Sequence, residues 1–381
     1  MAHRVALRAR VCGMIYLDYQ ATTPLAPEAL AAMLPWLENQ HANPHSAHVP
    51  GRAARAAVEV ARDNLAALLP AGGRVAFTSG ATEAINWAIK GAGKVGGPGR
   101  IVTIATEHAA TLDTVDALAR SGRAVTVLPV GVDGLVDLAA ARTAIGPGTA
   151  LVAAMLINNE IGVVQPIAEL AEMAHAAGAL MLCDAVQGFG RVPIPAGCDM
   201  VAVSAHKIHG PKGIGALWVR DGVELEPLLH GGGQEALGRS GTLSPALCAG
   251  FGAAARLAAE RQAEDAAHVA GLWENAAAAL GSRWMINGSI DQRYRGNLNI
   301  RRDGLDVARL MSSLRDIAFS AGSACASGSG RSSHVLRAIG LSEAQARSSI
   351  RIGFGRYSTE TELVEAIDRI NAAADAQRAA A

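Results

Sequence analysis

The sequence alternates short runs of β-branched and other apolar residues with alanine-rich stretches of helical periodicity. Parallel strands need long crossovers, which helices supply, so this alternation predicts a largely parallel sheet with helices on both faces. A chain with this pattern is expected to be an α/β protein. The predicted strands cover residues 75–77, 101–104, 124–128, 149–157, 180–183, 200–203 and 215–219, with helices at 82–90, 112–121 and 167–177 and in most of 25–69.

The chain has 381 residues, which is long for a single hydrophobic core, so we expect two domains. Residues 1–14 are predicted to be an N-terminal extension, and residues 15–255 a large domain whose first residues pack against the small one. Residues 256–381 are predicted to form the smaller α+β domain, with strands near 297–300, 318–320 and 349–352, entered through a helical region at 245–280. Met14 directly precedes the first predicted strand, and we expect it to be an alternative start that makes the preceding residues dispensable.

The composition excludes several classes of protein. Basic and acidic residues are equal in number, at 34 each, so there is no basic footprint for nucleic acid or a membrane surface. No apolar run reaches the roughly 20 residues of a membrane-spanning helix, and the basic N-terminus lacks the apolar region of a secretory signal. The five cysteines are scattered without metal or disulfide spacing, which predicts a cytoplasmic protein without a bound metal.

Asp184 and Lys207 follow two of the predicted strands and carry the strongest chemical signal. In parallel sheets ligands bind beyond the carboxyl ends of the strands, where both residues fall. A lysine amine can form a Schiff base with pyridoxal phosphate, and a carboxylate can keep the pyridine nitrogen protonated so that the ring accepts electrons. Together they predict a pyridoxal phosphate site, with Ser204 and His206 placed to meet its phosphate. Either piece alone is equally consistent with a strand end and a basic surface loop.

Two hydroxyl-rich segments are candidates for the phosphate of such a cofactor. Residues 78–83 (TSGATE) follow a strand and open a helix, so Ala81 and Thr82 lie where backbone N–H groups and the helix dipole favour an anion. Gly241 and Thr242, in residues 239–242 (RSGT), are candidates for the same phosphate. Taken alone, the first segment is typical of an ordinary helix cap and the second of a glycine turn.

Three further polar residues follow predicted strands or the aspartate. His108 is expected to stack on a flat cofactor and to transfer a proton. Asn159, and Gln187 from another side, are candidates to bond the cofactor's phenolic oxygen. A lone histidine is more often structural, and asparagine is common at strand-end turns, so these assignments depend on the lysine site.

Cys325 and Arg351 are candidates for direct contact with the substrate. Cys325 lies in residues 320–330 (SAGSACASGSG), a segment of small residues that predicts a mobile loop, so this cysteine is a candidate nucleophile. Arg351 lies in a predicted strand, and its guanidinium fork suits a carboxylate. Without the other parts, a structural ion pair is the simpler interpretation of Arg351.

In order along the chain, these motifs closely resemble cysteine desulfurases of aminotransferase class V, specifically the NifS/IscS type. The resemblance extends from residues 16–24 (YLDYQATTP) nearly to the C-terminus. It includes residues 78–83 (TSGATE), 106–108 (TEH), 158–165 (NNEIGVVQ), 206–213 (HKIHGPKG), 230–235 (HGGGQE), 239–242 (RSGT), 322–325 (GSAC) and 348–351 (SSIR). It implies the fold type I pyridoxal phosphate architecture, with a mainly parallel seven-stranded sheet covered by helices and a smaller α+β domain.

The resemblance also implies a reaction, L-cysteine to L-alanine with the sulfur left on Cys325 as a persulfide. Lys207 would carry the cofactor and move the Cα proton, with His108 assisting, while Arg351 and Asn159 bind the substrate. The persulfide would supply an acceptor protein such as an iron–sulfur scaffold. A homodimer is implied, with active sites at the subunit boundary.

At the subunit boundary, Gly241 and Thr242 would reach the partner's cofactor phosphate. The chain ends soon after its last helical pattern, where many NifS/IscS-type relatives carry a longer segment used in scaffold docking. The loop after Cys325 also contains glycines and Arg331, although its length is typical of the NifS/IscS type rather than the SufS-like group. An acceptor other than an iron–sulfur scaffold therefore stays open.

Three rival interpretations remain at this point. A selenocysteine lyase shares most of this machinery, and an aminotransferase of the same class would not need Cys325. A non-catalytic relative would be expected to lack Lys207, Asp184 or Cys325, and all three residues are present.

Overall fold

The computed structural model describes residues 10–11, 13–95, 99–322 and 332–379. The first strands, β1 (Arg10–Val11) and β2 (Met14–Tyr16), pair antiparallel, and the helices α1 (Pro27–Glu38) and α2 (Val49–Ala66) follow. The break predicted at residues 43–45 lies between these helices. The side chain of His48 ends the break by capping α2, because it accepts a hydrogen bond from the Gly51 N–H at 3.2 Å.

Seven strands form the large sheet, in the order β3-β9-β8-β7-β6-β4-β5. In chain order they are β3 (Gly73–Thr78), β4 (Arg100–Ile104), β5 (Val125–Leu128), β6 (Thr149–Met155), β7 (Leu180–Asp184), β8 (Met200–Ser204) and β9 (Gly215–Arg220). The pairs among β4 to β8 are parallel, whereas β9 is antiparallel to both β8 and β3. The predicted mainly parallel sheet of seven strands is confirmed. Strand β9 reverses because it follows β8 through a short loop with no crossover helix.

Helices cover the sheet because its strands bury apolar side chains on both faces. The covering helices of this part of the chain include α3 (Ala81–Val95), α4 (Ala109–Arg120), α5 (Leu138–Ala144) and α6 (Ile167–Ala176). In β7, Met181 and Cys183 enter one apolar core and Leu182 enters the core on the other face. This alternation is the two-residue period of a strand.

Helix α7 (Pro245–Leu280) is 36 residues long and joins two hydrophobic cores. Its first turns pack against α1 and α2, where Phe251 and Ala255 belong to the core of the large sheet. From Val269 onward its buried side chains belong to a second core. The predicted domain boundary at 255/256 lies within this continuous helix and stays a prediction.

The second core lies around a four-stranded antiparallel sheet of order β10-β11-β14-β13. Its region contains β10 (Met285–Ile286), β11 (Asn297–Arg301), α8 (Val307–Ser313), β12 (Ile317–Ala318), β13 (Ser320–Ala321), α9 (His334–Ala338), α10 (Glu343–Arg347), β14 (Ser349–Gly353) and α11 (Glu360–Ala379). The single strand predicted at residues 318–320 is wrong. The chain leaves one sheet at Ala318, where β12 pairs with β2, and enters the other at Ser320. Ile15 and Leu17 also pack in this second core.

No helix in the described part of the chain combines the length and the apolar composition needed to cross a membrane.

Candidate active site

A cavity of about 610 Å³ lies at the edge of the large sheet where β3, β7 and β8 end. A cavity of this size accommodates a cofactor and a small substrate. Its position follows from the topology, because parallel strands bring their carboxyl ends, and the residues after them, to one edge. Most residues predicted for the site line this cavity: Ala81, Thr82, His108, Asn159, Asp184, Gln187, Ser204, His206, Lys207 and Arg351.

Lys207 ends a short 3-10 turn, Ala205–Lys207, that follows β8 directly. Its Nζ donates hydrogen bonds to the main-chain carbonyls of Gln20, at 2.6 Å, and Ala21, at 2.8 Å. These two carbonyl acceptors orient the amine. The lysine is therefore held at the cavity wall with its amine beside the space that a ligand would fill.

Asp184 ends β7 and is 6% exposed, with Oδ1 accepting a hydrogen bond from the Val186 N–H at 3.0 Å. Burial raises the pKa of Asp184, while the Val186 hydrogen bond and the nearby His108 and Lys207 act to lower it. A buried carboxylate of this kind is favoured by a positively charged ring nitrogen brought next to it.

A second buried carboxyl group, Glu107, lies behind the cavity near Asp184. Its Oε1 accepts a hydrogen bond from the Met155 N–H at 2.7 Å. Burial and the charge of Asp184 raise the pKa of Glu107 well above its usual range. Burial beside Asp184 therefore favours the protonated form of Glu107 more than exposure to solvent would. The sequence did not single out Glu107 as a site residue, because only its burial distinguishes it.

His108 caps helix α4, because its Nδ1 accepts a hydrogen bond from the Ala110 N–H at 3.1 Å. An accepting Nδ1 carries no proton, so the neutral ring carries its proton on Nε2. Burial lowers the pKa of His108, which favours this neutral form. His206 is neutral for the same reason, since burial lowers its pKa to about 4.

The start of α3 forms the polar end of the cavity around Ala81 and Thr82. Backbone N–H groups without intrahelical partners and the helix dipole favour an anion there. Glu83, in the same turn, accepts a hydrogen bond from the Ser79 N–H at 2.7 Å and pairs with Arg239 at 2.9 Å. The Arg239 pair balances the charge of Glu83, so this carboxylate does not repel a phosphate.

Gly241 and Thr242 are exposed and do not line the cavity of their own chain. The Gly241 N–H donates to Gln234 Oε1 at 2.6 Å, and the neighbouring Arg239 attaches this segment to the start of α3. Their predicted contact with a partner subunit's cofactor phosphate stays a prediction. Cys325 lies outside the described residues.

Arg351 is almost fully buried in β14 and already has partners on its fork. Its Nη2 lies 2.7 Å from Asp18 Oδ1, and its Nη1 donates to the Asn159 carbonyl at 3.0 Å. Arg351 therefore forms a structural ion pair, which was the simpler interpretation of this residue from the sequence. It also lies in the cavity wall. The pairing with Asp18 was not predicted, because the two residues are far apart in the sequence.

Gln187 lines the cavity with its side-chain amide already bonded within the protein. Its Nε2 donates to the Gln20 carbonyl at 2.9 Å, and its Oε1 accepts from Arg191 Nη1 at 2.8 Å. The sequence predicted a bond to the cofactor's phenolic oxygen. That bond would require Gln187 to exchange one of these partners, and the role stays a prediction.

The residues present fit pyridoxal phosphate. A buried carboxylate suits a protonated ring nitrogen, an amine lies at the cavity wall, and a helix start with a nearby serine and threonine suits a phosphate. These features define an α/β enzyme with a site for a phosphorylated aromatic cofactor that attaches to a lysine.

The comparisons with known proteins identify the family. The family model described as aminotransferase class V matches residues 15–366, and the chain belongs to this family. The chain is 44% identical over 368 residues to cysteine desulfurase IscS of Rickettsia bellii (strain OSU 85-389), covering 93% of this chain and 90% of the relative.

Two solved structures extend the comparison to the fold. The X-ray structure of a NifS-like protein from Rickettsia africae ESF-5 aligns with a TM-score of 0.86 at 31% identity, over 95% of this chain and 99% of that chain. The structure of SspA in complex with cysteine aligns with a TM-score of 0.80 at 36% identity, over 90% of this chain and 99% of that chain. The predicted fold type I architecture and the use of pyridoxal phosphate by this family are confirmed.

Proposed function

We propose that this chain is a cysteine desulfurase that converts L-cysteine to L-alanine and transfers the sulfur to its own Cys325 as a persulfide. The observation that carries the proposal is the gathering of Asp184, Lys207 and Arg351 around one cavity at the sheet edge. Relatives over nearly the whole chain bear the name cysteine desulfurase IscS. The chemistry is therefore a sulfurtransferase reaction dependent on pyridoxal phosphate.

Pyridoxal phosphate, when bound, supplies an electron sink for the carbon atoms of the substrate. Asp184 would hold the ring nitrogen protonated, and Ser204, His206 and the start of α3 would bind the phosphate. Lys207 Nζ takes the proton from the substrate Cα and later returns a proton to carbon. The neutral His108, whose proton is on Nε2, would assist the proton transfer.

Arg351 binds the substrate carboxylate. Its fork is already fixed by Asp18 and the Asn159 carbonyl, so little side-chain entropy is lost when a substrate arrives. The carboxylate competes with Asp18 for the guanidinium group, which makes the affinity for substrate moderate. This competition favours release of L-alanine after each turnover.

Cys325 receives the sulfur atom. Its thiolate forms a bond to the substrate sulfur as the bond between that sulfur and Cβ breaks, and protonation at carbon completes L-alanine. The persulfide then passes its outer sulfur to an acceptor thiol. The acceptor is a protein, with an iron–sulfur scaffold as one candidate, and the reaction takes place in the cytoplasm.

The active unit is proposed to be a homodimer. Gly241 and Thr242 are exposed, and they are chemically suited to a phosphate without reaching the one in their own chain. A partner copy would bring them to the subunit boundary.

The test is the release of alanine and sulfide from L-cysteine in the presence of a thiol reductant. Equal yields of both products are expected from the wild-type protein, and Cys325→Ala is expected to abolish both. Cys248→Ala is the matched control, because Cys248 is buried in the large core and is not part of the cavity wall. A fully active Cys325→Ala protein would show that Cys325 is not the nucleophile and would favour elimination without a persulfide. Comparison of the turnover of L-cysteine with that of L-selenocysteine distinguishes a cysteine desulfurase from a selenocysteine lyase.

A further inference from the structure

A second cavity, of about 230 Å³, shares Lys207 with the cofactor cavity but is otherwise lined by different residues. Its walls come from the segment after β7, from the middle of α7 and from residues 293–295 and 355–356, so it lies where the two hydrophobic cores meet. We propose that this cavity, which we call the arginine cavity, binds a small oxyanion, either a phosphate or a short carboxylate.

The wall of the arginine cavity carries a large excess of positive charge. Asp265 is the only carboxylate among the described residues of the wall. Four arginines line it: Arg191, Arg293, Arg295 and Arg356. Asp265 is also divided between two guanidinium groups, since it lies 2.6 Å from Arg356 Nη2 and 3.4 Å from Arg261 Nε. Outside the wall, the exposed Glu274 lies 4.0 Å from Arg295, so these two carboxylates leave the wall with a net positive charge.

Arg293 is a buried arginine of this wall. It is 8% exposed, and its guanidinium carbon lies 4.9 Å from the centre of the Trp273 ring. Its Nη1 donates to the Ser289 carbonyl at 2.9 Å, and its Nη2 donates to the carbonyls of Ile161 at 2.5 Å and Asn287 at 3.4 Å, all of which are uncharged acceptors. No acidic side chain of the described residues lies within 4.0 Å of it. Burial lowers the pKa of Arg293 to about 10, which reflects the cost of an unbalanced buried charge. An anion in the adjoining space would offset that cost.

Arg191 connects the arginine cavity to the cofactor cavity. Its Nη1 donates to Gln187 Oε1 at 2.8 Å and its Nη2 donates to the Lys207 carbonyl at 2.7 Å. Both acceptors are uncharged, and both residues line the cofactor cavity. An anion that attracts Arg191 would therefore alter the support of the lysine segment, so occupancy of one cavity is expected to influence the other.

The test uses the holoenzyme, whose cofactor phosphate site is filled, with inorganic phosphate as the probe. Gln262 lies in the wall of the arginine cavity on α7, and Gln262→Glu adds a negative charge there without changing size. Asn275→Asp makes the same change of charge on the same helix outside the wall and is the matched control. Phosphate affinity is measured by calorimetric titration and by the unfolding midpoint, with ionic strength held constant by sodium chloride.

Wild-type protein and Asn275→Asp are expected to bind phosphate saturably with equal affinity. Gln262→Glu is expected to bind at least about tenfold more weakly, because the added charge repels the anion across a few ångströms. Stabilisation that sodium chloride reproduces at equal ionic strength, or an unchanged affinity in Gln262→Glu, would overturn the proposal. Acetate that responds to Gln262→Glu in the same way would assign a carboxylate ligand, and a response to phosphate alone would assign a phosphate.

Discussion

Asp184 carries the negative charge that the proposed chemistry requires, and an isosteric change tests it. The oxygen of an asparagine at this position still accepts the Val186 N–H bond, so the fold is expected to persist. Without the negative charge the ring nitrogen loses its proton, and the rate of alanine formation is expected to fall about 100-fold or more. The measurement is kcat for alanine formation by Asp184→Asn, with the cofactor content matched to that of the wild type.

Asp199→Asn is the control for the Asp184 experiment. Asp199 is fully buried and pairs with Arg220 and His175, and it is not in the wall of the cofactor cavity. Its substitution is expected to lower the free energy of unfolding and to leave kcat near that of the wild type. If both variants lost kcat equally, the effect of Asp184→Asn would be structural rather than chemical.

Because His209 is buried, we expect the protein to lose stability in acid. Burial lowers the pKa of His209 from 6.5 to about 3, so the unfolded chain takes up a proton below pH 6.5 that the folded chain refuses. The free energy of unfolding therefore falls as the pH drops from 6.5 towards 3, by up to about 1.4 kcal/mol per pH unit from this group. His209→Asn removes the titration, and asparagine tolerates the positive φ of 69° at this position.

Urea unfolding over this pH range measures the effect of His209→Asn. The variant is expected to be less stable near neutral pH, because it loses the 2.9 Å hydrogen bond from His209 Nδ1 to the Pro24 carbonyl. The gap to the wild type should narrow as the pH falls. Parallel pH profiles for the two proteins would mean that His209 does not resist protonation.

The sequence is sufficient to find those site residues that are charged and closely follow an apolar strand. Lys207 and Asp184 were recognisable because a lysine and an acid followed predicted strands that share one edge. Asp18 and Glu107 were missed, since their roles depend on burial and on partners distant in the sequence. The catalytic and binding roles of the predicted residues remain predictions.

At the scale of elements, α2 and α7 pack closely at Gly252. A Cβ added at Gly252 would lie 2.5 Å from the Ala61 Cα, which is backbone and cannot move aside. Gly252→Ala is therefore expected to lower the free energy of unfolding by about 1–3 kcal/mol. Chemical denaturation measures the change.

Gly271 supplies the matched control on the same helix. A Cβ there meets nothing within 4 Å, so Gly271→Ala is expected to stabilise the protein by about 0.5–1 kcal/mol through helix propensity. Equal effects of the two substitutions would show that helix propensity, and not the contact with α2, controls both positions.

Most elements of the large sheet were predictable because the strands are mainly apolar and are followed by distinct polar or helical stretches. The reversed direction of β9 was not predicted, because direction depends on the length of the connection and not on the strand's own residues. The division of β12 from β13 around Phe319 was not visible either. Ala318 pairs in one sheet and Ser320 in the other, and only these long-range pairings decide where each strand ends.

At the scale of the whole molecule, an apolar stripe on α1 is the surface we expect to contribute to the proposed dimer. Leu30, Leu34 and Leu37 are exposed at helical spacing, and Leu37 is 64% exposed. The wild-type protein is expected to have twice the chain mass of 39.1 kDa in light scattering, and Leu37→Glu is expected to shift it towards the monomer. Val132→Glu, at an isolated valine that is 83% exposed, should stay dimeric. A dimeric Leu37→Glu protein would place the interface elsewhere.

Helix α7 has a consequence for how the molecule comes apart. With 36 residues it is about 54 Å long, and it contributes Phe251 to one core and Trp273 to the other. If the part of α7 in one core unfolds, the part in the other core loses the adjoining helical turns, because the backbone hydrogen bonds of the helix are continuous. We therefore expect the two cores to unfold together, and we expect a chain cut at residue 255 to lose packing in both cores.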